Sequence, residues 1–322
     1  MRVVVTGAGG FIGSELVKRL AATGTLGKSP IDALVRADRA LPKPPPSRMA
    51  IDDAPGDLSD AGYAADLFAR GWDSIFHLAA TLTLDAERDP GRAWAVNVAP
   101  LLQCLEACRR GGRAPKLVFA SSIAVFGGPL PDTVGDDQKH TPQTTYGAHK
   151  AIDELLIADA TRHGVVDGRV LRLPIVLVRA GASSPTVSDR IAALVRERLA
   201  GVDVTCPLLP SDSFPVASVG RVVEALLRLH DLSAEELGAG RAMNLPALTV
   251  SVADVNASVE RLAGNRPLGK IAFHPDPSFR AILESWPRHF VSERAGALGI
   301  TADSSFDTIV AAYIADGGGP LA

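Results

Sequence analysis

Short apolar runs alternate with longer amphipathic stretches through the first half of the chain. The first run is Val3-Val4-Val5, and glycines separate it from Ser14 to Leu20, where apolar residues recur at helical spacing. Apolar runs of this length are typical of buried strands, and their alternation with helical segments is typical of a parallel sheet. We expect further strands at 31–38, 51–54, 74–80, 116–120 and 169–174.

Helical patterns separate these strands, and the alternation becomes looser beyond residue 174. We expect helices at 93–110, from 145 onward, and at 189–200, 219–230, 248–263 and 306–315. Residues 40–50 are rich in proline and are typical of a surface loop. The alternation predicts an α/β fold with a doubly wound parallel sheet, followed by a smaller C-terminal lobe.

The composition and charge are those of an ordinary globular chain. Its 322 residues are 47% apolar and 21% charged, with a formal net charge of −3, so neither nucleic acid nor a membrane surface is favoured as a partner. No apolar run reaches the length of a transmembrane helix, and the chain opens on a strand rather than on a signal peptide. We therefore expect a cytoplasmic protein.

The cysteines do not indicate disulfides or a metal centre. There are three of them, an odd number, which argues against a disulfide framework. Cys104 and Cys108 lie one turn apart on an apolar helix, with no histidine near them in the sequence. Packing in the core is favoured over metal binding, and we expect no metal site.

A glycine-rich turn, Thr6-Gly7-Ala8-Gly9-Gly10-Phe11-Ile12-Gly13, joins the first predicted strand to the first predicted helix. Gly7 permits a tight turn, Gly10 leaves room for a pyrophosphate, and Gly13 lets the helix lie close to the strand. The helix N-terminus favours phosphate through its free N–H groups and its dipole. The spacing is G-x-x-G-x-x-G rather than the commoner G-x-G-x-x-G, and a turn needed only for packing is the alternative.

This turn makes the first part of the chain a predicted dinucleotide-binding domain of Rossmann type. We expect that domain to span 1–178, with 212–236 returning to it. Residues 179–322 are then expected to form most of a substrate-binding lobe.

The end of the second strand bears on the choice of cofactor. An acid in this place accepts hydrogen bonds from the adenosine ribose and repels a 2′-phosphate. Asp38 occupies it, so we expect NAD. Arg36 and Arg39 leave NADP open, because an arginine can meet a 2′-phosphate, and the alternative is that all three are solvated charges.

Two further strand ends are candidate cofactor contacts. Asp57 follows the third strand, and its carboxylate either accepts from the adenine amino group or caps the next helix. The strand at 74–80 ends in Ala79 and Ala80, whose small side chains let a cofactor lie against the backbone. We interpret His77 in this strand as a core histidine without a catalytic role.

Tyr146 and Lys150 share one face of a predicted helix because they are four residues apart. A nearby ammonium favours the phenolate and lowers the pKa of a tyrosine from its usual value of about 10. A phenolate can take the proton of an alcohol while hydride leaves its carbon. Lys150 can also hold the nicotinamide ribose, and Ser122 at a strand end can orient the substrate oxygen.

The motifs occur together in one order along the chain. They are Thr6 to Gly13, Asp57-Leu58, His77-Leu78-Ala79-Ala80, Asn97, Ser121-Ser122, Tyr146-Gly147-Ala148-His149-Lys150 and Arg172-Leu173-Pro174. In this combination the sequence resembles the extended short-chain dehydrogenase/reductases, the NAD-dependent epimerase/dehydratase family. Segments over nearly the whole chain, among them Ser121 to Pro131 and Ser285-Trp286-Pro287, are similar to the D-erythronate dehydrogenase branch of that family.

The resemblance implies NAD-linked oxidation of a secondary hydroxyl on a small sugar acid, with Ser122, Tyr146 and Lys150 as catalytic residues. It implies a homodimer, formed through two helices of the sheet layer. It also assigns binding residues. For the cofactor these are Gly7, Gly10, Phe11, Ile12, Gly13, Asp38, Asp57, Leu58, Ala79, Ala80, Asn97, Tyr146, Lys150 and Pro174; for the substrate they are Thr81, Thr83, Ser122, Tyr146 and Arg179.

The sequence departs from that branch at two places where substrate contacts are expected. Val178-Arg179-Ala180-Gly181 stands where the branch reads V-R-P-G, and Ser218-Val219-Gly220-Arg221 stands where it reads S-P-R-R. The chemistry is expected to be retained, while the substrate need not be D-erythronate itself. Arg179 and Arg221 are each either a partner of a substrate carboxylate or a structural ion-pair partner.

Two other functions remain as alternatives. One is a sugar epimerase that oxidises its substrate transiently. Nucleotide-sugar epimerases typically carry acidic residues in the region that here reads Ser213 to Ser218, which has none. The other is an NAD(P)-sensing protein without catalysis, and such proteins usually lack the Tyr/Lys pair.

Overall fold

Seven parallel strands form the central sheet of the computed structural model, which describes residues 1–178 and 186–318. The strands of this sheet and of the smaller sheets are, in chain order, β1 (Arg2–Thr6), β2 (Thr25–Leu26), β3 (Ser29–Pro30), β4 (Ala33–Asp38), β5 (Ile51–Pro55), β6 (Ser74–His77), β7 (Lys116–Ser122), β8 (Thr133–Val134), β9 (Asp167–Leu173), β10 (Ile175–Leu177), β11 (Val204–Cys206), β12 (Ser213–Ser218), β13 (Ala242–Asn244), β14 (Leu248–Ser251), β15 (Ile271–Phe273) and β16 (His289–Phe290).

The helices cover both faces of this sheet and build the second lobe. They are α1 (Phe11–Thr23), α2 (Ala61–Phe68), α3 (Thr83–Arg88), α4 (Pro90–Asn97), α5 (Ala99–Gly111), α6 (Thr145–Arg162), α7 (Val187–Leu199), α8 (Val219–Asp231), α9 (Ala234–Leu237), α10 (Val252–Leu262), α11 (Pro277–Glu284), α12 (Glu293–Ala297) and α13 (Phe306–Ala315). A short 3-10 helix, Ile123–Val125, follows β7.

The strand order of the central sheet is β13-β9-β7-β6-β1-β4-β5. The chain runs outward from β1 to β5 and then returns to β6 on the other side of β1, so the order reverses between β1 and β6. A crevice forms at the carboxyl ends of the strands at such a reversal, and ligands of doubly wound sheets bind there. The predicted α/β fold class is confirmed.

Burial on both faces explains the apolar runs of the sequence. Val3, Val4 and Val5 of β1 are fully buried, because α1 and α8 pack on one face of the sheet and α2, α5 and α6 on the other. Parallel sheets covered in this way lack the alternation of a half-exposed strand. The glycine turn therefore follows a rigid, fully covered strand.

The second lobe has a core of its own around the three-stranded sheet β10-β12-β14. Phe214 of β12, Ile191 of α7 and Val310 of α13 are buried in that core. Farther along the chain, α8 packs against α1, and β13 joins the edge of the seven-stranded sheet beside β9. The predicted division of the chain at residue 178 stays a prediction. The pairing of β13 with β9 adds a second segment, beside the predicted 212–236, that packs with the dinucleotide-binding part of the chain.

Two predicted helices are wrong in their extent. The helix expected at 93–110 is divided at Val98 into α4 and α5, because Pro100 lacks an N–H and restricts the residue before it. The helix expected at 248–263 begins only at Val252. Its first residues form β14, which pairs with β12, and Ser251 caps α10 together with Asp254.

A buried arginine fixes α8 to the sheet. Arg169 of β9 is fully buried, and its guanidinium donates to the carbonyl oxygens of Leu229, at 2.7 Å, and of Leu232, at 2.6 Å. It also pairs with Asp167, at 2.6 Å. These carbonyls end a helix and have no helical partners of their own, so the guanidinium replaces the missing donors.

Replacing Arg169 with Met is expected to lower the free energy of unfolding by about 3–5 kcal/mol, because it removes a donor from buried carbonyl groups at the end of α8 and leaves Asp167 with Arg241 as its remaining partner. Arg162→Met is the matched control, since it removes an exposed ion pair with Asp159 and is expected to cost less than about 1 kcal/mol. Chemical denaturation of both variants measures the difference. Equal losses would contradict this role of Arg169.

Candidate active site

A cleft of about 1260 Å³ lies between the carboxyl ends of the sheet strands and the second lobe. The glycine turn and the start of α1 line it on one side, and Thr186 to Ala192 of the second lobe line it on the other. Ser122, Tyr146 and Lys150 lie along the same wall as the glycine turn. The fold thus brings the predicted cofactor turn and the predicted catalytic residues into one cavity.

The glycine turn has the geometry that its spacing predicts. Gly7 has a φ of +72°, which favours glycine, and a Cβ there would lie 2.7 Å from the backbone nitrogen of Ala79. A Cβ on Gly13 would lie 2.1 Å from the carbonyl oxygen of Gly7, so strand and helix approach too closely for any side chain. These contacts hold β1, β6 and α1 together at the crevice.

Gly10 differs from its neighbours because its surroundings are open. A Cβ there would meet only the carbonyl oxygen of Gly7, at 3.2 Å. Gly10 is the N-cap of α1, and no side chain caps this helix. The first N–H groups of a helix attract anions, and here they line the cleft with Phe11 and Ile12 beside them. The residues present therefore fit a pyrophosphate.

A smaller pocket of about 150 Å³ continues from the turn toward the end of β4. Its lining includes Asp38, Asp57, Leu58, Ala79 and Ala80, which the sequence predicted to bind the cofactor. Asp57 is the second acid of this pocket beside Asp38, and two carboxylates repel a phosphate rather than attract it. This pocket is the candidate site for the adenosine end of the cofactor.

Asp38 is held in place by the glycine turn itself. Its carboxylate accepts from the backbone N–H groups of Gly9, at 3.0 Å, and Ala40, at 3.3 Å. A Cβ on Gly9 would lie 2.0 Å from the carbonyl oxygen of Ala40, so this glycine is required as well. No role was predicted for Gly9, although its position next to Gly10 in the glycine-rich turn was a signal for one.

The arginines near Asp38 differ from each other in their surroundings. Arg36 is buried and makes two 2.7 Å hydrogen bonds to Asp53 on the neighbouring strand, so it is not a solvated charge and is not available to a 2′-phosphate. Arg39 is exposed and lies 3.9 Å from Asp57. Of the two arginines that could meet the 2′-phosphate of NADP, Arg39 is therefore the one still available.

Asp57 does not cap the helix that follows it. Asp60 caps α2 through the N–H groups of Gly62 and Tyr63, whereas Asp57 accepts from the backbone and hydroxyl of Ser59. The hydrogen bond from the Ser59 backbone lowers the pKa of Asp57, so the carboxylate is ionised in the smaller pocket.

Asn97 reaches the site only through Thr81. Its buried amide accepts from the Thr81 N–H, at 2.8 Å, and donates to the Thr81 carbonyl, at 3.1 Å. The loop after β6 is thereby fixed beside the smaller pocket, which Thr81 lines. His77 is buried against Phe119, and burial lowers its pKa to about 3, in agreement with a neutral core histidine.

Ser121 and Ser122 have different surroundings. The hydroxyl of Ser121 is buried and donates to Glu154, which also binds Arg172 at 2.9 Å. The hydroxyl of Ser122 accepts from the Ala124 N–H, at 3.1 Å, and acts on the phenol of Tyr146 in the direction that lowers its pKa. Only Ser122 is placed to share a substrate oxygen with Tyr146.

Lys150 is buried at the base of the cleft. Its ammonium donates to the carbonyl oxygen of Ala120, at 2.8 Å, and lies 4.2 Å above the ring of Phe119. The Tyr146 ring centroid is 5.7 Å away. Helix α6 therefore presents both side chains to the cleft, as their spacing of four residues predicts.

Burial dominates the titration of these groups in the absence of ligand. It raises the pKa of Tyr146 to about 12, although the hydrogen bond with Ser122 acts in the opposite direction. It lowers the pKa of Lys150 to about 8. The pKa of Tyr146 in the ligand-free site is thus raised rather than lowered, contrary to the expectation from its spacing with Lys150, because desolvation disfavours the phenolate.

The predicted substrate residues lie in different places. Thr83 lines the large cleft and Thr81 the smaller pocket, and Pro174, which was predicted to contact the cofactor, also lines the large cleft. Arg179 lies outside the described residues. Arg221 pairs with Glu224 on α8, at 3.0 Å, and is not part of the cleft wall, so the structural interpretation applies to it.

A buried acid that was not predicted from the sequence lies one turn beyond Lys150. Asp153 is fully buried and faces the same side of α6 as Lys150. Its spacing of three residues from Lys150 is the signal that indicates this shared face. Among residues 1–178 and 186–318, no group of His, Cys, Asp and Glu is arranged to hold a metal ion.

No helix in the described part of the chain is long and apolar enough to cross a membrane.

Comparison with known proteins gives the family. The model described as the NAD dependent epimerase/dehydratase family matches residues 3–244. D-erythronate dehydrogenase from Cupriavidus necator is 37% identical over 99% of this chain and 99% of its own length.

Two further relatives agree in sequence and in structure. D-erythronate dehydrogenase from Haemophilus influenzae is 34% identical over 98% of this chain and 99% of its own. The solved structure of a nucleoside-diphosphate-sugar epimerase from Agrobacterium tumefaciens superimposes with a TM-score of 0.93 at 34% identity, covering 99% of this chain and 95% of that one. The predicted family, NAD dependence and oxidoreductase class are confirmed, and the chain belongs to the NAD-dependent epimerase/dehydratase family.

Proposed function

We propose that this enzyme oxidises a secondary hydroxyl of a small sugar acid resembling D-erythronate, with NAD as the hydride acceptor. The observation that carries the proposal is the convergence of Ser122, Tyr146 and Lys150 in the cavity that begins at the glycine turn. Two relatives of nearly equal length, named D-erythronate dehydrogenase, support the substrate class.

Different residues of the chain bind different parts of the cofactor. The uncapped N-terminus of α1, at Gly10, holds the pyrophosphate, and Asp38 accepts from the adenosine ribose. Lys150 holds the nicotinamide ribose. A bound NAD would supply the hydride acceptor and, through its oxidised ring, a positive charge in the site.

Tyr146 accepts the proton of the substrate hydroxyl. Ser122 donates to or accepts from the same oxygen and keeps it near the phenol. Because burial raises the pKa of Tyr146 to about 12 with Lys150 already in place, the phenolate needs further positive charge, which the oxidised ring of a bound cofactor would provide. The base is thus active in the loaded site rather than in the empty one.

An epimerase is the second candidate, because the relative from Agrobacterium tumefaciens carries that description at 34% identity. Epimerases return the hydride to their substrate and accumulate no reduced cofactor. The segment Ser213 to Ser218, which contains no acid, forms the buried strand β12 in this chain. This favours the dehydrogenase.

A panel of sugar acids, nucleotide sugars and simple alcohols, assayed with NAD and with NADP, tests the proposal. We expect net formation of NADH with a four-carbon hydroxy acid and slower turnover with NADP, because Asp38 repels its 2′-phosphate. Isomerisation of a nucleotide sugar without net NADH would contradict the proposed reaction.

Tyr146→Phe is expected to lower kcat by about 10²–10⁴-fold, since general base catalysis contributes on that order. Binding of NADH should persist, because the ring and its packing remain. Tyr63→Phe is the matched control, since its hydroxyl donates to the Ala54 carbonyl outside the cleft. Single-turnover hydride transfer measures both variants, and near-normal transfer in Tyr146→Phe would place the base elsewhere.

Gly10→Val is expected to weaken NADH binding by about tenfold or more, equivalent to about 1.4 kcal/mol, because a branched side chain would take the place of the pyrophosphate. The fold should tolerate the change after a small shift of the Gly7 carbonyl, since a Cβ at Gly10 meets only that oxygen, at 3.2 Å. Gly111→Val, at a position with open space around it, is the control. Calorimetric titration with NADH decides, and equal affinities would make the turn purely structural.

We further propose that two copies of the chain form a homodimer through α5 and α6, which lie side by side on one face of the sheet. Leu155 of α6 is 69% exposed and Leu102 of α5 is 43% exposed, so both helices present large apolar side chains to solvent. A helix pair with outward leucines suits a second copy of the same pair.

Leu155→Glu is expected to shift the protein from dimer to monomer in sedimentation velocity, because it places a charge in the proposed interface. Val202→Glu is the control, since Val202 is 53% exposed on the second lobe. An unchanged sedimentation coefficient in Leu155→Glu would contradict this interface.

A further inference from the structure

Asp153 is a buried acid that the reaction described above does not use. It lies on α6, one turn beyond Lys150, and none of its surface is accessible to solvent. Neither carboxylate oxygen has a hydrogen-bond partner among residues 1–178 and 186–318. Burying a carboxylate without a partner is costly, so its retention there calls for a compensating charge.

The neighbouring acid shows the contrast. Glu154 is also buried, but it accepts from both the Arg172 guanidinium, at 2.9 Å, and the Ser121 hydroxyl. Arg172 thus compensates Glu154 and not Asp153. The cation whose field acts on Asp153 is Lys150, whose one hydrogen-bond acceptor among the described residues is the carbonyl of Ala120.

We propose that Asp153 is a positioning residue whose buried carboxylate keeps Lys150 protonated and thereby sets the pH range in which Tyr146 accepts the substrate proton. The proposal rests on the proposed function in one respect, the role of Tyr146 as the base. It adds a residue that acts through Lys150 and touches neither substrate nor cofactor.

The titration of the two groups supports this coupling. Burial raises the pKa of Asp153 to about 7 and lowers that of Lys150 to about 8, while each charge opposes the shift of the other. Between these values the carboxylate is ionised and the ammonium is protonated. The charge of Asp153 also acts on Tyr146, where it disfavours the phenolate.

Few other charges face the pair from the elements packed around it. His77 of β6 is neutral and buried beneath Phe119, and the 3-10 helix Ile123–Val125 contributes only apolar side chains. Lys116 of β7 and Arg169 of β9 donate to carbonyls of α8 on the other face of the sheet. The remaining charged or titratable groups on α6 and the elements around it are His140 and Arg172 around Glu154, His149 beside Trp94, Cys104 and Cys108 on α5, Asp167 paired with Arg169 at the start of β9, and Asp85, Glu87, Arg88, Arg92, Glu106, Arg109, Arg110, Asp159 and Arg162 toward the surface.

Asp153→Asn therefore has a specific expected effect on the pH profile of kcat/KM. Without the carboxylate, Lys150 loses its proton at lower pH, so the alkaline limb moves down. Tyr146 loses a repelling charge, so the acid limb also moves down. Both limbs should shift by about one pH unit, which is the size of effect that one nearby charge produces.

The experiment compares wild type, Asp153→Asn and Asp159→Asn, the last being an exposed acid on the same helix that pairs with Arg162. NADH affinity is measured by fluorescence over the same pH range, since Lys150 contacts the cofactor in the proposed function. Its alkaline loss should begin about one unit lower in Asp153→Asn and should not move in Asp159→Asn.

The outcomes separate this proposal from the proposed function. Unmoved limbs in a folded Asp153→Asn protein would show that the carboxylate serves packing alone. Asp153→Ser is the second variant, and failure of both to fold would also assign a purely structural role and contradict the proposal. Retained hydride transfer in Tyr146→Phe would instead refute the proposed base, while the pH dependence of NADH binding would still test Asp153.

Discussion

The close approach of β1, β6 and α1 at the crevice is the constraint on which the site depends. Only a residue without a Cβ fits at position 13, where the added atom would lie 2.1 Å from the Gly7 carbonyl oxygen. This proximity brings the uncapped N-terminus of α1 to the point where the strand order reverses. The same turn holds Asp38, through the N–H of Gly9, at the edge of the smaller pocket. The candidate pyrophosphate site and the candidate adenosine site are thus both positioned by the requirement for glycine in this turn.

The second feature of the site is that its charges are buried in the layer between sheet and helix. Lys150 is 2% exposed, and Glu154 and Arg172 form an ion pair below Ser121. A buried charge is sensitive to its neighbours because the surrounding dielectric is low. Helix α6 therefore does more than present Tyr146 to the cleft, since it also carries the charges that decide when the phenol can lose its proton.

Much of the fold and part of the site could be predicted from the sequence, for local reasons. The buried strands appear as apolar runs, and the glycine spacing and the Tyr146/Lys150 spacing report on single elements. Non-local pairing was not predictable in the same way. Arg36 pairs with Asp53 because β4 and β5 are neighbours in register, and residues 248–251 form a strand because β12 lies beside them.

The electrostatic balance could not be predicted either. The spacing of Tyr146 and Lys150 indicates that they share a face, but it does not show how deeply each group is buried. Burial raises the pKa of the phenol to about 12 although Lys150 lies on the same face of the helix, so the balance became visible only in three dimensions. Likewise, Asp153 is one polar residue among several on α6 until its burial is known.

The central claim is that hydride leaves the hydroxyl-bearing carbon of a small sugar acid and remains on the released cofactor. The direct measurement uses D-erythronate deuterated at that carbon, with NAD, and locates the deuterium by mass spectrometry. The account predicts deuterium in the released NADH and a keto acid without it. Deuterium retained in an isomerised sugar acid, with no reduced cofactor released, would contradict the account.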